Sequence, residues 1–128
     1  MSKIILVADD EPHIINLLAE ALTKEGYEVW TAADGLKAME HITQHKPDLI
    51  ILDIIMPRLS GAELFFRLRE DQTTQDIPVI VLSAIAGDYK KREGENLEQP
   101  DMCIGKPWDQ QKLLTAIRQL LEGGKKNP

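Results

Sequence analysis

Several short apolar runs in this chain end in residues able to do chemistry. Ile4 to Val7 leads through Ala8 into Asp9, Asp10 and Glu11; Leu49 to Leu52 leads into Asp53; Val79 to Leu82 leads into Ser83 and Ala84. A further short run, Met102 to Gly105, is followed by Lys106 and Pro107. Carboxylates, a hydroxyl and an ammonium are the equipment of in-line phosphoryl transfer. One carboxylate serves as nucleophile, others hold a hard cation, and a lysine neutralises charge on the equatorial oxygens. Three carboxylates brought together repel unless a cation compensates. Mg²⁺ suits this role, since it uses one or two carboxylates and shares the phosphate. Taken singly, each residue is ordinary: the acidic run a solvated loop or helix cap, Asp53 a turn residue, Ser83 a helix cap, Lys106 a surface lysine.

Whether these residues meet depends on the elements that carry them. The apolar runs have the length of strands buried on both faces, as in parallel sheets. Glu28 to Ala32, with Val29, Trp30 and Thr31, reads as an edge strand. Between the strands lie segments of helical period. Residues 13–25 align Ile14, Leu17, Leu18, Ala21 and Leu22, with Gly26 as the stop. Residues 35–45 carry a weaker stripe of Leu36, Met39 and Ile42. Ser60 and Glu63 form a capping box before Leu64, Phe65 and Leu68. Asp109 caps a last helix carrying Leu113, Leu114, Ile117, Leu120 and Leu121. Alternating strands and helices imply an α/β fold with helices on both faces of a parallel sheet. Ligands then bind beyond the carboxyl ends of the strands, where strand order reverses. If the strand order is 2-1-3-4-5, Asp9, Asp10 and Asp53 would share one pocket, with Ser83 and Lys106 on its other side.

The 128 residues suffice for one domain with a substantial core. The net charge of −6, from 21 acidic and 15 basic residues, argues against a nucleic-acid surface and suits a cation or a basic partner. The single cysteine, Cys103, precludes an internal disulfide and fits a reducing compartment. The first residues lack the pattern of a signal peptide, and no apolar run reaches the roughly 18 to 20 residues of a membrane span. A soluble, cytoplasmic chain without membrane contact is expected.

Four pieces in order carry a resemblance: Asp9-Asp10-Glu11-Pro12; Asp53-Ile54-Ile55-Met56-Pro57 with Ser60-Gly61; Leu82-Ser83-Ala84; and Lys106-Pro107-Trp108. Up to about residue 122 the chain resembles the receiver domains of two-component response regulators. The resemblance implies a flavodoxin-like, doubly wound five-stranded sheet of order 2-1-3-4-5. It implies a phosphorelay switch that accepts a phosphoryl group on Asp53 from a phosphohistidine, with only autocatalytic transfer and slow self-dephosphorylation. Asp10, Asp53 and the backbone carbonyl of Ile55 would bind Mg²⁺, with Asp9 acting mostly through water. Ser83, Ala84 and Lys106 would hold the phosphoryl group, and the Lys106–Pro107 bond would be cis. Implied partners are a sensor histidine kinase or phosphotransfer protein and a downstream target or output domain. Ile55 and Ile85 stand where the family positions water for hydrolysis, so a long-lived phosphoaspartate is expected. At the switch position, where the family has an aromatic ring, stands Cys103.

Competing readings are weaker. An aspartyl-phosphate phosphatase of the haloacid dehalogenase type needs D-x-D, but Ile55 follows Asp53 at that spacing. A flavin module needs a hydroxyl- and glycine-rich loop after the first strand, where this chain has acid. A pseudo-receiver would lack the acids or the lysine. The segment from Gly87 to Pro100 is polar, carries Gly94, and reads as a short or irregular helix, with Lys90, Lys91 and Arg92 as a solvated face. Residues 123–128 read as a disordered tail or the start of a linker to another domain. His13, His41 and His45 read as surface residues, and Tyr27, Trp30, Phe65 and Phe66 as packing residues.

Overall fold

A computed structural model describes residues 2–83 and 101–123. The expected helix within Gly87 to Pro100, the tail after 123, and Ala84 and Ile85 lie outside these residues, as does the side chain of Ser83. Five strands, β1 (Ile4–Ala8), β2 (Glu28–Ala32), β3 (Leu49–Leu52), β4 (Val79–Ser83) and β5 (Met102–Gly105), form one parallel sheet in the order β2-β1-β3-β4-β5. Four helices are described: α1 (Pro12–Lys24), α2 (Gly35–Gln44), α3 (Gly61–Glu70) and α4 (Gln110–Gly123).

The continuous apolar character of the strands follows from cover on both faces. Ile5, Val7, Leu49, Ile51, Ile80 and Leu82 point toward Ile14, Leu18 and Leu22 of α1 and Leu113, Ala116 and Ile117 of α4. Their alternates Leu6, Ala8, Ile50, Leu52, Val79 and Val81 point toward Ala38 and Ile42 of α2 and Leu64, Phe65 and Leu68 of α3. The side-chain period of two divides the core into these two layers.

Helix ends follow their sequence signals. Gly26 at φ +95° terminates α1, where a residue with a Cβ would be strained. Ser60 accepts from the Glu63 amide at 3.2 Å, while Glu63's carboxylate turns to Arg67 at 3.4 Å. Asp109 accepts from the Lys112 amide at 3.2 Å.

Two residues expected on inward stripes, and Phe66, expected to pack, differ from expectation. Leu17, Leu36 and Phe66 are exposed. In α2 the buried positions are Gly35, Ala38 and Ile42. A Cβ at Gly35 would collide with the carbonyl of Leu59, so the helix sits with Gly35 turned inward and Leu36 outward. In α3 the core takes Leu64, Phe65 and Leu68, which leaves Phe66 on the outer side.

Candidate metal and phosphoryl site

Strand register explains why the acids meet. Ala8 pairs with Leu52 across β1 and β3, so the next residues, Asp9 and Asp53, emerge side by side. Their amides are fixed by the sheet: Asp9 donates to Ala32 at 3.0 Å, and Asp53 to Ala8 at 3.0 Å. Oxygens of Asp9, Asp10 and Asp53 lie within 4.8 Å of one another. Asp9 and Asp53 are buried, whereas Asp10 is exposed. Opposite them β4 and β5 end together, with Ser83 in register with Gly105, and Lys106 leaves from there.

Lys106 spans the pocket. Its Nζ lies 2.8 Å from Asp9, 3.3 Å from Glu11 and 3.4 Å from Asp53. The Lys106–Pro107 peptide is cis, as expected. Burial works against the charged ammonium. The hydrogen bond and charge of Asp9, with Asp53 and Glu11, outweigh it and hold the lysine above its ordinary pKa. Burial also dominates at Asp9 and raises its pKa, despite the opposing bond from Lys106 and the Glu11 amide. The pocket thus gathers three carboxylates, and Lys106 contacts two of them, Asp9 and Asp53. The donor set, all carboxylate oxygen and partly open to solvent at Asp10, fits a hard divalent cation.

The loop from Asp53 to Ser60 completes the near wall. Gly61 donates to the Ile54 carbonyl at 2.7 Å, and a Cβ at Gly61 would collide with the carbonyl of Asp53. Ile55 is 62% exposed at the rim. The same loop reaches α2: Arg58 Nε donates to Asp34 Oδ2 at 3.1 Å. The Lys37 amide, and after it Arg58, hold the Asp34 carboxyl below the usual range.

Of the residues singled out in the sequence, Asp9, Asp10, Asp53 and Lys106 converge, and Ile55 lies in the adjoining loop. Cys103 is half-buried in β5, against the layer of α2 and α3. Trp108 packs in the other layer, with its indole N–H donating to Gln110 at 3.0 Å. Two features escaped the sequence reading. Glu11, visible only as part of an acidic run, also contacts Lys106. His41 and His45 do more than face solvent, since both rings lie against Trp30.

The response regulator receiver domain model matches residues 5–118. The chain is 38% identical over 117 residues to the DNA-binding dual master transcriptional regulator RpaA of Synechocystis, covering 91% of this chain and 48% of that protein. It is 43% identical over 121 residues to the response regulator GtcR of Aneurinibacillus migulanus, covering 94% and 48%. The chain belongs to the response regulator receiver domain family. It spans about half the length of these curated relatives. Among solved structures, the response regulator TrrA of Thermotoga maritima, in complex with Mg²⁺ and BeF, matches this receiver domain with a TM-score of 0.80. The two are 36% identical, and the match covers 93% of this chain and 99% of that one. The observed strand order is the one the resemblance implied. Among the described residues, no helix is long and apolar enough to cross a membrane. The expectation of no nucleic-acid contact gains nothing from relatives that include a DNA-binding regulator.

Proposed function

We propose that this receiver domain accepts a phosphoryl group on Asp53 from the phosphohistidine of a sensor kinase or phosphotransfer protein, and relays its state to a downstream target or output domain. The observation that carries the reading is the convergence of Asp9, Asp10 and Asp53 around one lysine at the carboxyl edge of the sheet. A carboxylate oxygen of Asp53 attacks phosphorus; the new P–O bond forms as the P–N bond to the imidazole breaks, and the departing imidazole takes a proton from solvent. Lys106 pairs with the phosphoryl oxygens once they arrive, exchanging part of its contact with Asp9 and Asp53 for them. Asp10, Asp53 and the Ile55 carbonyl would hold Mg²⁺, with Asp9 at one remove. When bound, the ion supplies positive charge against the transferring oxygens. Ser83 and Ala84 complete the phosphoryl contacts in this reading.

The reaction is autocatalytic and followed by slow self-dephosphorylation, so the domain is a switch and not a turnover enzyme. A cytoplasmic location is part of this reading, and the single cysteine of the chain fits a reducing compartment. Incubation with acetyl phosphate and Mg²⁺ should add one phosphoryl mass to the wild type and none to Asp53→Asn. The same gain in that variant would overturn the assignment.

A further inference from the structure

The loop between β3 and α3 carries the expected Ile55 ligand and contains the single non-glycine residue at positive φ among those described, Arg58 at +68°. The Leu59 amide donates to the Pro57 carbonyl at 2.7 Å, closing an i to i+2 turn centred on Arg58. Such a turn with positive φ is rare and strained. A residue with a side chain in this region costs on the order of 1–3 kcal/mol and persists only where surroundings over-determine it. Glycine would occupy the position without that cost. An arginine here therefore calls for an account of what its side chain does.

Its guanidinium reaches out of the loop to Asp34, the N-cap of α2, at 3.1 Å. Asp34 is a buried acid whose other oxygen accepts from the Lys37 amide at 2.8 Å, so it is held in place from the helix side. One residue further on, Gly35 lies so close to Leu59 that no Cβ fits between them. The loop is thus fastened at its far end to α2, and at its near end to itself through the Gly61–Ile54 bond. Ile55 lies between the two fastenings.

We infer that Asp34 and Arg58 form a positioning pair for the metal site, latching the β3–α3 loop to α2 so that the Ile55 carbonyl is held ready for the cation. The inference rests on the Mg²⁺ reading above. Neither residue touches the reacting atoms. A backbone carbonyl cannot reorient as a side chain can, so its aim depends on what anchors the loop. Partners that orient ligands typically change metal affinity by about 10–100-fold when removed.

Charge alone predicts the opposite sign for one variant, which makes the idea testable. Removing the positive Arg58 should strengthen cation binding if only long-range charge matters. Arg58→Gly also relieves the strained φ, so a purely structural role predicts unchanged or higher stability and no loss of metal affinity. The latch predicts weaker binding, by about tenfold in Kd. Asp34→Asn keeps a side-chain oxygen for the helix cap but loses the ion pair, and should weaken binding similarly. The double variant should be no weaker than either single one, because the two act as a unit. The experiment is calorimetric titration of the chain with MgCl₂, alongside urea unfolding in EDTA to confirm that each variant folds. Unchanged or tighter binding by Arg58→Gly, or fully additive losses in the double variant, would overturn the latch and leave the metal site standing. A wild type that takes up no Mg²⁺ would remove the site and this inference together.

Discussion

Two groups of acids at opposite ends of the sheet are treated in opposite ways. At the amino ends of the strands, the half-buried Asp48 and Asp101 are both matched. Asp48 accepts from the Ile4 amide at 2.7 Å, tying the start of β3 to β1. Asp101 accepts from the Val79 amide at 2.7 Å and from Arg69 at 3.2 Å, while Arg69 also donates to the Ile77 carbonyl and lies over the Phe65 ring. At the carboxyl ends of β1 and β3, Asp9, Asp10 and Asp53 cluster, and Lys106 contacts Asp9, Glu11 and Asp53. The first arrangement is what folding favours, since a buried charge needs a partner. The second costs stability unless a cation completes it. The difference separates acids that hold the fold from acids placed for chemistry; Asp34, beyond β2 on the carboxyl side, is of the first kind.

Breaking the matched end should have the largest effect on stability. Asp101→Ala leaves the nearly buried Arg69 guanidinium and the Val79 amide without that carboxylate. Removing one partner of a buried pair costs about 3–5 kcal/mol, and with Asp101 half-buried the loss should fall near the lower end of that range; urea unfolding should register it. Calorimetric Mg²⁺ affinity of the folded fraction should be unchanged. A loss under 1 kcal/mol would mean that the two ends do not differ as argued.

Completing the unmatched end should give a smaller gain. A cation that binds only the folded state stabilises it by about 1.4 kcal/mol at ten times its dissociation constant. Melting in MgCl₂ against EDTA should show the rise in wild type, and little or none in Asp53→Asn with Asp10→Asn. A melting temperature indifferent to Mg²⁺ would mean that Lys106 already compensates the acids.

The matched and unmatched ends were unequally legible in the sequence. The carboxyl-end residues stood out because each follows an apolar run, and strand register brings together residues at equivalent run ends. Asp9 and Asp53 are neighbours for that reason. At the amino ends, Asp48 and Asp101 precede their strands, where an acid reads as an ordinary loop residue. Their partners lie 44 and 22 residues away and are set by strand order. Arg58 and Asp34 were invisible for a similar reason: nothing local to either predicts that the β3–α3 loop packs on α2. Leu36 was misplaced because period gives a stripe, while helix rotation is set by the tight Gly35–Leu59 approach.

The pH dependence of the metal-free protein sharpens the comparison further. Asp9's pKa is raised above its usual 3.8, chiefly by burial and net of the attraction of Lys106. A carboxyl with a raised folded pKa costs stability once pH climbs through that value, and costs none below the unfolded value. Asp9→Asn mimics the neutral form. It should therefore be the more stable protein at neutral pH without Mg²⁺, and the advantage should fade on acidification toward 3.8. Asp34, at a fully partnered position, has a lowered pKa, first through the Lys37 amide, and should show the reverse: stability lost as pH falls below 3.8. Parallel acid titrations of Asp9→Asn and Asp34→Asn by thermal melting check both signs. Curves sloping the same way relative to wild type would contradict a burial cost at Asp9 set against a partnered Asp34.

The smallest effect concerns the rim. Ile55 lies two residues after Asp53 and cannot hydrogen-bond a water, which favours a long-lived phosphoaspartate if its side chain governs the in-line path. The geometry limits how much it can do. Ile55 is 62% exposed, so its side chain stands out from the pocket and does not seal it, while Asp53 is only 8% exposed beneath. A polar side chain at this position gains a chance to orient water but removes little steric cover. Ile55→Asn should therefore speed decay of phospho-Asp53 by about threefold, on the order of 0.7 kcal/mol in barrier. Loss of the phosphoryl mass over time in MgCl₂, after removal of acetyl phosphate, measures this. An unchanged rate would assign water access to another wall of the pocket. A change beyond a hundredfold would mean that Ile55 folds over Asp53 once the phosphoryl group is present, making the exposed end of the sheet a closable one.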